Sequence, residues 1–257
     1  MIDLHCHLLP GIDDGPDTLE QALDLARLAV ANGITHSVVT PHVHPGRYEN
    51  DSMSVQQALD AFRGALRTAG IPLQLGYAGE VRLSVEVLAM VEQDRVPFYG
   101  EVDGYRIMLL ELPHSHVPPG SDALVGWLLD RKIRPMIAHP ERNKDVMRSL
   151  DKLQPFIDAG CLFQVTAGSV AGLFGDYALR VACAMLEAGH VTLLASDAHN
   201  RDFRPPRLDH GRDAAARLVG EKAARRLVYD SPRALVTSQF PDLRSDYIDA
   251  SYDRHAL

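Results

Sequence analysis

At 257 residues, 46% of them hydrophobic, the chain is long enough for one large α/β domain or two small ones and apolar enough for a sizeable core. A formal net charge of −8 argues against a nucleic-acid binder, which would normally carry a basic face. The three cysteines, Cys6, Cys161 and Cys183, match no zinc-finger or paired spacing and suit a reducing compartment.

Apolar, β-rich runs alternate with helical patterns along the chain. Strands are expected near 2–6, 36–40, 73–79, 105–111, 134–138, 162–166 and 191–195. The first helix lies between the first two strands. Asp17 or Thr18 can cap it, with Glu20 or Gln21 near the third position of a capping box. Leu19, Ala22, Leu23, Ala26 and Ala29 give it one apolar face, and Gly33 ends it. Further helices are expected near 53–69, 83–92, 120–131, 144–159, 176–189, 210–219 and 221–228. Short connections between alternating strands and helices mean parallel strands with crossover helices. About seven such units fit a closed or nearly closed (β/α) barrel over 1–240 better than a doubly wound sheet. No glycine-rich nucleotide loop is present. Residues 241–257 read as a polar C-terminal tail carrying Tyr247 and Tyr252. No run reaches the ~18–20 apolar residues of a membrane span, and no basic segment leads into an apolar stretch at the start. A cytoplasmic protein without direct membrane insertion is therefore expected.

The residues that carry chemistry sit just after the strands. His5 and His7 end the first, on one side of it because side chains alternate with period two. Asp14 follows in the turn Gly-Ile-Asp-Asp-Gly-Pro. His42, Glu80, Glu111 and His139 each follow or close a separate strand, and Asp197 and His199 follow the last. In a (β/α) barrel the carboxyl ends of all strands meet on one face, so residues spread along the chain converge. Imidazole and carboxylate suit Zn²⁺, Mn²⁺ and Fe²⁺. Nine such ligands are too many for one ion and about right for three. The absence of thiolate from the set favours Mn²⁺.

Taken singly, most of these residues have a plainer reading as surface or capping groups. Their joint placement argues for a metal site. Arg142 and Arg204 follow two of the motifs, and an arginine beside a metal cluster makes sense if an anion such as phosphate neutralises both. The plainer reading for Arg142 is a salt bridge with Glu141 or Glu111. His44 is a candidate for substrate contact. His114 and His116 read as loop residues at the rim, His36 and His190 as packing or capping residues, and all three cysteines as core.

These residues also form familiar motifs: Ile-Asp-Leu-His5-Cys-His7, Asp-Asp14-Gly-Pro, Thr-Pro-His42, Gly-Glu80, Ala-His139-Pro-Glu-Arg142 and Ser-Asp197-Ala-His199-Asn. Together they resemble the polymerase-and-histidinol-phosphatase (PHP) superfamily. Within it they are most similar to the capsule and exopolysaccharide tyrosine phosphatases of the CpsB/YwqE type, as are Gln164-Val-Thr-Ala-Gly-Ser169 and Leu173-Phe-Gly175. The resemblance covers about residues 1–240. It implies a distorted (β/α)₇, TIM-like barrel and three divalent ions. His5, His7, Glu80 and Asp197 would hold one ion; Glu80, Glu111 and His139 the second; Asp14, His42 and His199 the third. Arg142 and Arg204 fall at positions that contact the phosphoryl group. The implied partner is the tyrosine-phosphorylated C-terminal tail of a bacterial tyrosine kinase. Where some members carry basic residues just after His42, Val43 and His44 stand here. Three other readings stay open: a small-molecule phosphatase such as one for histidinol phosphate, a non-catalytic phosphotyrosine-binding protein, and an amidohydrolase. The native ion, the oligomeric state and the proton donor to the leaving group are not fixed by the sequence.

Overall fold

The computed structural model describes residues 1–244. Tyr247 and Tyr252 lie outside the described residues. Among these described residues ten strands occur in chain order: β1 (Ile2–Cys6), β2 (His36–Val39), β3 (His42–Val43), β4 (Gln74–Tyr77), β5 (Glu80–Arg82), β6 (Glu101–Val102), β7 (Tyr105–Glu111), β8 (Ile133–Ala138), β9 (Leu162–Thr166) and β10 (Leu193–Ala195). Parallel pairing runs β1–β2–β4 in one sheet and β3–β5–β7–β8–β9–β10 in another.

The two sheets form one ring. β3 continues β2 and β5 continues β4, with breaks at Thr40-Pro41 and Ala78-Gly79. Pro41 has no N–H to donate, so the ladder is interrupted where it stands. The other seam closes where β1 meets the end of β10: Cys6 bridges Ala198, the Asp197 N–H donates to the His5 carbonyl at 2.8 Å, and the His7 N–H donates to the Ala198 carbonyl at 2.8 Å. The result is the expected seven-unit parallel barrel, distorted by two interrupted strands. β6 is an antiparallel hairpin arm on β7.

Alternation on the strands builds two apolar layers. On β7, Ile107 and Leu109 join one cluster with Leu4, Met136 and Leu193; Met108 and Leu110 join the other, with Val125 and Leu128 of the helix Ser121–Asp130.

The first helix, Leu19–Ala31, is capped by Thr18 in a reciprocal box with Gln21, and Gly33 follows at φ +81°. Two helical expectations need correction. The stretch expected as one helix over 144–159 is three short pieces, Lys144–Arg148, Leu150–Leu153 and Gln154–Asp158. Ser149 is extended between the first two, and Pro155 opens the third. The helix expected over 221–228 is α-helical only to Arg225, then widens into a π-turn at Arg226–Asp230 before Ser231–Val236, which begins with Ser-Pro. The expected tail also starts too early. His36, the first residue of β2, pairs with Asp242 at 2.9 Å, and Leu243 is buried.

Candidate metal centre

Each chemistry-bearing side chain comes from a strand's carboxyl end or the turn after it. His5 and His7 are fully buried at the end of β1. Glu80 follows β4 across the Ala78-Gly79 break, as the first residue of β5, and is fully buried; Glu111 closes β7. His139 and Asp197 follow β8 and β10 with positive φ, 30° and 51°. Such left-handed backbone is unusual for these residues and marks strain at a site.

The first group is a tight cage. His5 Nε2 lies 3.3 Å from His7 Nε2, and each lies 3.3 Å from Glu80 Oε2. Asp197 Oδ1 stands 3.3 Å from His5 Nε2 and 3.5 Å from His7 Nε2. Ligand atoms at about 2.0–2.1 Å from a tetrahedral divalent ion are spaced by about 3.3 Å, so these four atoms have the spacing of a coordination shell. Glu80 Oε2 and Asp197 Oδ1 are buried and have no hydrogen-bond partner. Buried acceptors without donors are costly, and a cation supplies what they lack.

The histidines are oriented for this. His5 Nδ1 is 2.8 Å from Gln164 Oε1, and His7 Nδ1 is 2.6 Å from Asp13 Oδ2. Placing a proton on each Nδ1 leaves each Nε2 lone pair facing the cage, as metal-binding histidines require. His199 does the same, with Nδ1 2.9 Å from the Asp197 carbonyl. Burial, and then positive charge at the neighbouring His7, hold the His199 imidazole down at about 4, so it is neutral at pH 7.

A second group joins His7, Asp14, His42 and His199, and a third joins His42, Glu80 and Glu111. Asp14 Oδ1 is 3.3 Å from His42 Nε2 and 3.2 Å from His199 Nε2. His42 Nδ1 is 3.0 Å from Glu80 Oε2 and 3.9 Å from Glu111 Oε2. Burial pushes the His42 imidazole down, but Glu80 and Asp14 outweigh this and hold it at about 10. Protons and cations therefore compete for the same atoms. His139 faces the other oxygen of Glu80, with Nε2 2.7 Å from Oε1. All nine expected ligands are thus brought together, with His7, His42 and Glu80 each common to two groups. The grouping differs in two respects: His42, not His139, completes the set with Glu80 and Glu111, and His7 joins Asp14, His42 and His199.

A cavity of about 290 Å³ opens over these residues. Arg142 and Arg204 both reach it and both approach Asp197 Oδ2, Arg142 in direct contact and Arg204 at 3.5 Å. The plainer alternative for Arg142, a salt bridge with Glu141 or Glu111, is not what forms. Glu141 is buried beneath, accepting from the Thr166 N–H and Ser169 Oγ, while Glu111 is bound by Arg82 at 2.8 Å. Phe174 packs on the Arg142 guanidinium at 4.7 Å. His44 and His114 line the cavity, and burial and neighbouring arginines lower both imidazoles. His116 does not line it. Cys6 is buried with its thiol on the Val38 carbonyl, and burial raises it well above the usual thiol range.

A model of the family described as capsular polysaccharide synthesis, CpsB/CapC, matches residues 1–237. The chain belongs to the CpsB/CapC family. Among its relatives are the tyrosine-protein phosphatase YwqE of Bacillus subtilis and the tyrosine-protein phosphatase CpsB of Streptococcus pneumoniae. YwqE is 35% identical over 201 residues, 78% of each chain. CpsB is 28% identical over 245 residues, 93% of this chain and 99% of the other. A crystal structure from YwqE and CpsB, described as unique metal-dependent tyrosine phosphatases, superposes with a TM-score of 0.84 at 31% identity, covering 91% of this chain and 94% of that one. A β-aspartyl dipeptidase from Fervidobacterium islandicum, at 12% identity and a TM-score of 0.57 over 91% of this chain and 72% of its own, shares the fold alone.

Within this CpsB/CapC chain, sequence reasoning missed the residues that hold the ligands. Asp13 was passed over for its neighbour, yet it carries His7 and accepts from the His42 backbone N–H at 3.1 Å. Gln164 was noted only as part of a motif; it orients His5 and accepts from the His139 N–H at 3.1 Å. Asp3 accepts from the Ser196 N–H at 3.0 Å and so ties the first motif to the last. The signal for Asp13 was in the turn itself. Gly15 lies so close that a Cβ there would sit 2.5 Å from the His7 carbonyl oxygen, which keeps the turn against the ligand strand.

Proposed function

We propose that this chain is a metal-dependent tyrosine-protein phosphatase, acting on the phosphorylated C-terminal tail of a tyrosine kinase of polysaccharide export. The observation that carries the reading is the cage of partnerless buried carboxylate and imidazole atoms beneath two arginines. Family membership and the named activity of the relatives support the same reaction. The donor set of imidazole and carboxylate fits three divalent ions, Mn²⁺ first, with Fe²⁺ and Zn²⁺ as alternatives. The ligands would be His5, His7, Asp14, His42, Glu80, Glu111, His139, Asp197 and His199. When bound, such ions supply an activated water at neutral pH and positive charge toward the phosphoryl oxygens.

The protein's own part is binding and orientation. Arg142 and Arg204 are the catalytic and substrate-binding cations. Their forked donors suit the phosphoryl oxygens, and both converge on one side of the cage at Asp197. Phe174 and Asp197 hold Arg142 in place, which lowers the entropy lost on binding. His44 lines the opening as a substrate contact. The phenolate leaving group, with a conjugate acid pKa of about 10, needs less proton donation than an alkoxide, which favours phosphotyrosine over phosphoserine. The buried Cys6 offers no thiolate for a covalent route. Among the described residues no helix is long and apolar enough to cross a membrane; the cytoplasm is the proposed site of action.

The test is phosphate release from a phosphotyrosyl peptide, a phosphoseryl peptide and histidinol phosphate, with Mn²⁺ and with chelator. The expected result is chelator-sensitive turnover that favours phosphotyrosine and is lost in His199→Ala. Preference for histidinol phosphate would move the substrate to a small molecule. No turnover with any metal would contradict the phosphatase reading.

A further inference from the structure

Four arginines line the cavity, and three are bound to carboxylates. Arg82 holds Glu111, while Arg142 and Arg204 hold Asp197. Arg47 is different. Its guanidinium packs on the Tyr48 ring at 4.9 Å, and among the described residues no carboxylate lies within ion-pair distance. The adjacent carboxylate, Glu49, is engaged by the Gly46 N–H at 2.6 Å.

Arg47 is exposed, but the loop that carries it is fixed at the cavity rim. His44 and Tyr48 exchange two backbone hydrogen bonds, 3.0 and 2.8 Å, across a tight loop whose Gly46 sits at φ +85°. Asn50 anchors the loop's far end by donating to the Ile12 and His42 carbonyls at 3.0 and 2.9 Å. The Tyr48 ring lies parallel to His42, centroids 5.6 Å apart. Arg47 thus stands at the rim on an aromatic platform that rests on a metal-cage residue, with its planar donors unspent. It also supplies, from the end of this loop, positive charge at the opening where Val43 and His44 follow His42.

On the tyrosine-phosphatase reading, which this inference deepens, the phosphoryl group occupies the floor and the flanking peptide crosses the rim. We infer that Arg47 is a specificity residue that pairs with a carboxylate neighbouring the phosphotyrosine, so that acidic phosphopeptides are the preferred substrates. A guanidinium with no carboxylate partner among the described residues gains a charge-assisted contact without breaking an ion pair. An exposed pair of this kind is worth up to about 1 kcal/mol, roughly a fivefold gain in kcat/KM.

The test compares two phosphotyrosyl peptides that differ only in flanking Asp or Asn, with the Mn²⁺-loaded full chain at low and high salt. The wild type is expected to favour the acidic peptide about fivefold at low salt and less at high salt. In Arg47→Gln that ratio should fall to one. In Arg47→Glu it should invert, with a Lys-flanked peptide becoming the better substrate. An unchanged acidic-to-neutral ratio in both variants would overturn the role of Arg47 while leaving the phosphatase reading intact. Absence of turnover on every peptide would overturn that reading and this inference with it.

Discussion

At the scale of single residues, the site depends on groups that never touch substrate. Asp13 and Gln164 hold the Nδ1 faces of His7 and His5 and thereby aim the opposite nitrogens at the cage. Loss of such partners in metal sites costs about 10–100-fold in metal affinity or activity. Asp13→Ala should weaken metal binding by that amount, read by competition with a chromophoric chelator. Asp13→Asn, which keeps an acceptor, should recover part of it. Equal affinity in both variants and wild type would remove Asp13 from the account. The cysteines make the opposite case. Burial pushes Cys161 up to about 12, raises Cys6 well above its usual range and raises Cys183 as well. Iodoacetamide at pH 8 should leave phosphatase activity unchanged; parallel loss of activity and free thiol would point to a thiolate in the reaction. The ligand types were legible in the sequence because strand ends are recognisable from period-two runs. Their supports were not, because Asp13 and Asp14 are chemically alike and only the turn's path decides which one meets His7. The partner of Arg142 escaped for a related reason. Glu141 is its chain neighbour, but the side chain points down into the Thr166 and Ser169 donors.

At the scale of elements, the longest helix shows how local chemistry fixes the frame. Ser52–Thr68 is capped by Asp51, whose Oδ1 accepts from the Met53 and Ser54 N–H groups at 3.1 and 3.0 Å. Its other oxygen takes two hydrogen bonds from Arg95. The Ser54 N–H and Arg95 hold the Asp51 carboxyl below its usual value. Because its folded pKa is depressed, its contribution is present above the unfolded value of about 3.9 and is lost as pH falls through the folded value. Asp51→Ala should cost about 1 kcal/mol at pH 7. Urea denaturation should show that deficit shrinking below about pH 4. A deficit independent of pH would mean that the carboxylate's charge is not what stabilises the cap. Seven ring strands and most helices were readable from alternation and caps. The broken elements were not, because Pro41, Pro155 and Pro232 act through missing N–H groups and steric limits that apolar periodicity does not record.

At the scale of the whole molecule, the barrel makes the site by closing. The first motif at His5-Cys6-His7 and the last at Asp197-Ala198-His199 are joined by backbone hydrogen bonds across the seam, and Asp3 fastens to Ser196. The cage therefore exists only when the ring is complete, and ions bound there would add stability as well as chemistry, since binding to the native form alone favours it by mass action. Barrel architecture was legible from seven strand–helix units. The exact sharing of His42 between two ligand groups was not, since it depends on where the interrupted strand places one ring.

On the proposed function, one cluster of nine side chains holds the ions on which phosphotyrosine hydrolysis depends. The measurement that tests it most directly is titration of the chelated protein with Mn²⁺, reading bound metal and phosphotyrosyl-peptide turnover on the same samples. The account predicts turnover that rises with occupancy and levels off near three ions per chain, one for each overlapping ligand group. Full turnover in rigorously metal-free protein, or three bound ions with no turnover, would contradict it.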